Sequence, residues 1–208
     1  MNFILMADII ASRKTAQLPL ISSFREVVNH ANRKNKKGLL SPITITLGDE
    51  FQSVVKSLQT GLDIIADLEE RIILTKKEFK LRYVLLQGRI DTRINTKVAY
   101  EMLGPGLTSA RKYLEGLKKE KYRFYFNLLD KQKSAALNDS FLVLQNLIDK
   151  WRPGKDYYLV SEFLQHKDYK KVAKELSKER SLIWKRERSL KMEDYFSIKK
   201  VIKYIGEV

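Results

Sequence analysis

The chain has no cysteine and only two histidines among its 208 residues. Disulfides, thiolate metal sites and thiol nucleophiles are therefore excluded. His30 and His166 lie far apart, with no ligand-like spacing, so a zinc site is not expected. Prolines number four, and no low-complexity tract points to long disorder. Long hydrophobic runs are missing too. Phe3-Ile4-Leu5-Met6 is short, has no basic leader and is soon followed by Asp8. It fits neither a signal peptide nor a membrane span, and the cytoplasm is the expected location.

What the sequence does have is positive charge. Forty Lys and Arg face 25 Asp and Glu, a formal net charge of +15. That favours polyanion partners such as nucleic acid, nucleotides or acidic membrane surface. The surplus is spread out, with 24 basic against 14 acidic residues in 1–138 and 16 against 11 in 139–208. Charge alone therefore locates no nucleic-acid site.

Residues 2–10 form a nearly continuous apolar run, the pattern of a strand covered on both faces. Asp8 interrupts it, and an ionised carboxylate there is costly unless paired, hydrogen-bonded or metal-bound. Ser12, Arg13, Lys14 and Thr15 follow, where a loop leads into a helix. Such a turn either holds phosphate or merely caps the helix through Ser12 or Thr15. Leu20, Phe24, Val27, Val28 and Ala31 recur at helical spacing, and Asn32–Gly38 is a polar stop. Ile43–Val55 reads as two strands joined at Gly48-Asp49-Glu50, with glycine where a tight hairpin needs positive φ. Leu58 to about Arg71 is a second amphipathic helix, and Leu81–Ile90 a further strand carrying Arg82 and Gly88. After the exposed connection Asp91–Lys97, Gly104-Pro105-Gly106 marks a loop. Thr108 then caps a helix over Ala110–Leu117, with Arg111 in its first turn. Lys121–Leu128 alternates as a half-exposed strand.

This order predicts an α+β fold, a ferredoxin-like sheet with helices on one face, over residues 1–135. Asp130–Ser134 reads as a polar linker, and residues 136–208 as a small all-helical domain. Within it, Lys171–Leu176, a short turn and the basic segment Ser181–Leu190 have the helix-turn-helix pattern. Ile183 and Trp184 would pack inward there. Arg180, Lys185, Arg186 and Arg188 would face DNA phosphates or base edges. A three-helix packing domain with a basic solvated face produces the same pattern.

Ala7-Asp8-Ile9-Ile10-Ala11-Ser12-Arg13, Thr46-Leu47-Gly48-Asp49-Glu50-Phe51-Gln52, Gly104-Pro105-Gly106 before Ala110-Arg111, and the C-terminal helical pattern together resemble the SatD family of bacterial proteins. More distantly, the N-terminal part resembles the palm-like catalytic domain of class III nucleotide cyclases. That resemblance implies that Asp8 and Asp49 hold Mg²⁺, and that Ser12, Arg13, Arg82 and Arg111 serve the phosphates of a nucleotide. It also implies a homodimer, since cyclase-like sites commonly form between two subunits. The departures are Ala11 for the usual phosphate-turn glycine, Val84 where a glycine often stands, and Leu107 in the approximate place of the transition-state asparagine. Three readings follow. One is a regulator that binds a nucleotide and DNA, the second a nucleotidyl-transfer enzyme, and the third a non-catalytic interaction protein in which Arg13 or Arg82 satisfies Asp8.

Overall fold

The computed structural model describes residues 1–12, 17–46 and 48–207. Its centre is β1 (Asn2–Ile9), antiparallel on one side to β3 (Glu50–Val55) and on the other to β4 (Leu81–Gly88). β2 (Leu39–Ile45) pairs antiparallel with β3, and β5 (Phe124–Asn127) lies parallel to β4. The sheet order is β2-β3-β1-β4-β5. With α1 (Gln17–Lys34) and α2 (Leu58–Leu74) as crossovers, the first four strands have the ferredoxin-like topology. α3 (Pro105–Leu117) makes the connection that adds β5. Pro42 sits in β2, where an edge strand tolerates a residue without an N–H.

The sheet is covered on both faces, which corrects the one-sided arrangement expected. Side chains alternate along a strand, and both faces of β1 are apolar. Leu5, Ala7 and Ile9 join a core with Phe24, Val27, Leu62 and Ile65, from α1 and α2. Ile4 and Met6 join a second core with Val84, Leu86, Leu107, Ala110 and Leu114, beneath α3. A strand apolar on both sides needs cover on both. By the same alternation Asp8 belongs to the α3 side.

Asp130–Ser134 is no linker. Asp130 caps α4 (Lys131–Ile148) by accepting the Lys133 N–H at 2.9 Å. One stripe of α4 then closes the outer edge of β5. Ser134 Oγ accepts from the Leu128 N–H at 2.9 Å, and Gln145 Oε1 from the Arg123 N–H at 2.9 Å. The Asn138 amide bonds both the N–H and the C=O of Phe126 at 3.0 Å. Phe141, on the same stripe, packs its ring 4.9 Å from Phe124 and 4.5 Å from Phe126. An edge strand is a template for unwanted pairing, and here helix side chains occupy it. Asn138→Ala is expected to lose roughly 2 kcal/mol, the scale of backbone groups left unsatisfied, and to aggregate faster. Urea unfolding and light scattering check this; unchanged values would mean that water replaces the amide without cost.

The remaining helices are α5 (Tyr157–His166), α6 (Tyr169–Glu175), α7 (Arg180–Ser189) and α8 (Met192–Glu207). α8 lies beyond the individual helices expected from the sequence and folds back onto α2 and α4. The Tyr195 hydroxyl donates to Glu70 Oε1 at 2.9 Å, and Lys199 pairs with the same carboxylate. Trp151 donates its indole N–H to the Leu190 carbonyl at 3.0 Å and packs its ring 5.1 Å from Tyr195. One buried apolar cluster thus runs from Leu5 to Ile202. The boundary expected near residue 135 falls inside α4, whose Leu137, Phe141 and Leu144 belong to that cluster. No helix among the described residues is long and apolar enough to cross a membrane.

α6 and α7 are joined by residues 176–179, with Val172, Ala173 and Ile183 buried. Trp184 does not pack inward. It is 42% exposed, and the Arg188 guanidinium lies 5.2 Å over its ring. The inward stripe of this short helix runs through Ile183, Glu187 and Leu190, positions at helical spacing, and Trp184 lies beside it.

Candidate functional site

The strand register sets three charged residues in one row across the sheet. Asp8 lies opposite Glu50 on β3 and opposite Arg82 on β4. Arg82 Nη1 donates to both carboxylate oxygens of Asp8, each at 3.0 Å. α3 crosses above the row and brings two more cations, Arg111 within it and Lys118 at its C-cap, seven positions apart and so on one side of the helix. Arg111 Nη2 is 2.8 Å from Glu50 Oε1, and Lys118 Nζ is 3.6 Å from Asp8 Oδ2. The acids are covered, Asp8 to 4% exposure and Glu50 to 7%. The Arg111 and Lys118 side chains stay 39% and 50% exposed at the rim.

The hairpin tip adjoins the row. Gly48 takes φ +82°, a conformation other residues adopt with strain. The Ile9 N–H donates to the Asp49 carbonyl at 2.9 Å, and the Ser12 hydroxyl to Asp49 Oδ2 at 2.5 Å. The turn after β1 and the β2–β3 tip are thereby tied together. Arg13 and Thr15, expected in this turn, lie outside the described residues, as does Leu47 of the tip.

Burial pushes the Asp8 carboxyl up, opposed by Arg82 and Lys118, and the net direction is upward. Glu50 is also raised by burial, against Arg111 and Lys118, and the Asp8 charge adds to its rise. A carboxyl raised in the folded state binds protons more tightly there than in the unfolded chain. Its stabilising contribution is complete below the unfolded pKa and is lost as pH rises through the folded value. The stability of Asp8→Asn relative to the native protein should therefore increase as pH climbs from 3.8 into the raised range. Chemical unfolding at a series of pH values tests this; a relative decrease would mean that the folded pKa is lowered.

The expected Mg²⁺ pair, Asp8 with Asp49, does not fit these donors. Asp8 is already met by a guanidinium and an ammonium, and Asp49 by a hydroxyl. A dication at Asp8 would face Arg82 at contact distance, where like charges repel strongly. Among the described residues, no three His, Asp or Glu converge as a metal-holding group. Of the phosphate residues expected, Arg82 and Arg111 are brought to one row and Ser12 to the adjoining tip. Lys118 and Glu50 are additions. Lys118 carried one signal in the sequence, its position two helical turns from Arg111. Glu50, beside the hairpin tip, is buried and paired with Arg111.

At the far end of the chain, Arg180, Lys185 and Arg188 are exposed on α7. Arg186 is not free for DNA as expected, because its Nη2 is held 2.8 Å from Asp156 Oδ1. Asp156 is buried and also accepts from the Arg152 backbone N–H at 3.0 Å. A buried carboxylate requires such partners, so Arg186 serves the packing of α7.

Fold and row together define an α+β protein with a ferredoxin-like sheet and a cluster of acid–base pairs under its third helix. The chain belongs to the SatD family, whose model matches residues 3–205. Among solved structures it is similar to a bacterial light-regulated adenylyl cyclase, with 13% identity and a TM-score of 0.44 over 60% of this chain and 74% of that one. It is also similar to the guanylate cyclase domain of RhGC from Catenaria anguillulae in complex with GTP, with 13% identity and a TM-score of 0.39 over 55% of this chain and 71% of that one. A search of curated proteins finds no match.

Proposed function

We propose that the α3 side of the sheet binds the phosphates of a nucleotide. The observation that carries this reading is the pair Arg111 and Lys118, half-exposed above buried Glu50 and Asp8. Buried carboxylates hold both cations toward the sheet before any ligand arrives, so little side-chain freedom remains to be lost on binding. Arginine and lysine donors are the usual partners of phosphate oxygens. Calorimetric titration with ATP and GTP tests the reading. The native protein should bind at least one of them. Arg111→Ala and Lys118→Ala should each weaken binding about tenfold, or ~1.4 kcal/mol. No binding by the native protein, or equal binding by the variants, would sink it.

A second reading concerns the other end of the molecule. Arg180, Lys185 and Arg188 on α7, with Trp184 exposed among them, favour DNA binding by α6 and α7 as a helix-turn-helix. The net charge of +15 suits that partner. If each cation contacts a phosphate, replacing Lys185 or Arg188 should lower the salt slope of DNA affinity by about one. A slope unaffected by both changes would remove α7 from the interface. Joined, the two readings describe a SatD-family regulator that answers to a nucleotide. A cytoplasmic location and a homodimer belong to this proposal, and multi-angle light scattering checks the dimer.

A further inference from the structure

Phosphate sites built on a pair of carboxylates ordinarily use a divalent cation, because acid and phosphate carry like charge and the metal joins them. In this row side chains hold that position. Arg82 Nη1 lies at 3.0 Å from each oxygen of Asp8, midway between them, and its side chain is 14% exposed. The guanidinium is fixed by register, since Asp8 and Arg82 are direct cross-strand partners on the two adjacent inner strands β1 and β4. Glu50, the next acid in the row, is matched by Arg111, and Asp8 has Lys118 as a second cation. A divalent ion binding at Asp8 would have to displace a largely buried guanidinium and leave it without its counter-charge, which is strongly unfavourable.

We propose that Arg82 is a built-in cation replacing the divalent metal, so that phosphate binds on Arg111 and Lys118 without one. The phosphate half of this proposal rests on the nucleotide reading above. The replacement of the metal rests on the Asp8–Arg82 geometry alone. The arrangement has a converse. With the guanidinium removed, Asp8 stands beside Glu50, its register partner, and keeps only Lys118 at 3.6 Å, so the close, buried obstacle to a cation at Asp8 is gone.

Two titrations on the full chain decide it. In the first, ATP is titrated in EDTA and again in excess Mg²⁺. Affinity in EDTA should equal or exceed that in Mg²⁺, because the metal shields the phosphates from Arg111 and Lys118. A gain of about tenfold or more on adding Mg²⁺ would overturn the proposal while leaving the nucleotide reading intact. In the second, Mn²⁺ alone is titrated and followed by electron paramagnetic resonance. The native protein should leave the free-ion signal unchanged, whereas Arg82→Ala should bind the ion and lose it again when Asp8→Asn is added. Arg82→Gln, of similar reach and no charge, serves the same purpose if the alanine variant does not fold. Mn²⁺ held by the native protein and lost in Asp8→Asn would overturn the proposal. Should ATP fail to bind in either medium, the nucleotide reading and the phosphate half fall together, and the Mn²⁺ titration still decides the role of Arg82.

Discussion

Arg123→Ala is expected to cost the protein roughly 3–5 kcal/mol, the scale on which breaking a buried ion pair leaves an uncompensated charge. For a chain of this length that lowers the melting temperature by on the order of 10 °C. Arg123 is 4% exposed, immediately before β5. Its guanidinium reaches Glu69 on α2 through two bonds, 2.9 and 2.7 Å, and also Asp149 at 3.1 Å and the Leu81 carbonyl at 3.0 Å. Burial works against its charge, but Glu69 and Asp149 outweigh that and strengthen its hold on the proton. Tyr83 shares the network, its hydroxyl donating to Glu69 at 2.8 Å. With Arg123 gone, the Glu69 carboxylate is left with the Tyr83 hydroxyl as its remaining partner in this network, and the Leu81 carbonyl loses a donor. The loss should shrink when Glu69→Gln is added, because a neutral amide does not strand a charge. A loss below about 1 kcal/mol, typical of exposed pairs, would mean that water reaches the network.

The network also shows what could be read in advance and what could not. Strand and helix order follows from local period, so the Asn2–Ile9 run, the α1 stripe and the Gly48 hairpin all appeared where expected. Contacts depending on long-range register left no local mark. Nothing near Asp8 indicates that residue 82 is its cross-strand partner, and the guanidinium was only one of two candidates for satisfying it. The linker expected at Asp130–Ser134 has a local cause. Asp130–Ser134 is polar because it is a helix start, with Asp130 as the cap, and caps share their composition with linkers. α8 carries a helical stripe of its own, Met192, Tyr195, Ile202 and, packed beside them, Phe196, Ile198 and Ile205, so its period is legible in the sequence and only its docking on α2 and α4 is not. Trp184 shows a different failure, since a large aromatic on a short helix follows the helix's single buried stripe and not its own hydrophobicity.

The fold and the proposed site meet at α3, which carries both rim cations and whose position is fixed by glycine. A Cβ on Gly106 would lie 2.8 Å from the Arg89 carbonyl oxygen, 2.9 Å from the Gly88 carbonyl carbon and 2.8 Å from Ile4 Cδ1. Two of these three neighbours are backbone atoms, which have little room to yield. The end of β4 and the first turn of α3 touch main chain to main chain, joined by the Gly106 N–H bond to the Arg89 carbonyl at 2.9 Å. Gly106→Ala must therefore push the helix off the sheet, at a cost of about 3 kcal/mol, the upper part of the range for overpacking. The displacement acts on the site as well. Lys118 is already 3.6 Å from Asp8, and moving α3 outward would separate it further and loosen Arg111 from Glu50. Gly106→Ala should accordingly lose about tenfold in ATP affinity along with its stability. Asn138→Ala, which weakens the β5 edge and touches neither rim cation, should lose stability alone. If Gly106→Ala melted early yet bound ATP like the native protein, the placement of α3 would not be what positions the phosphate donors.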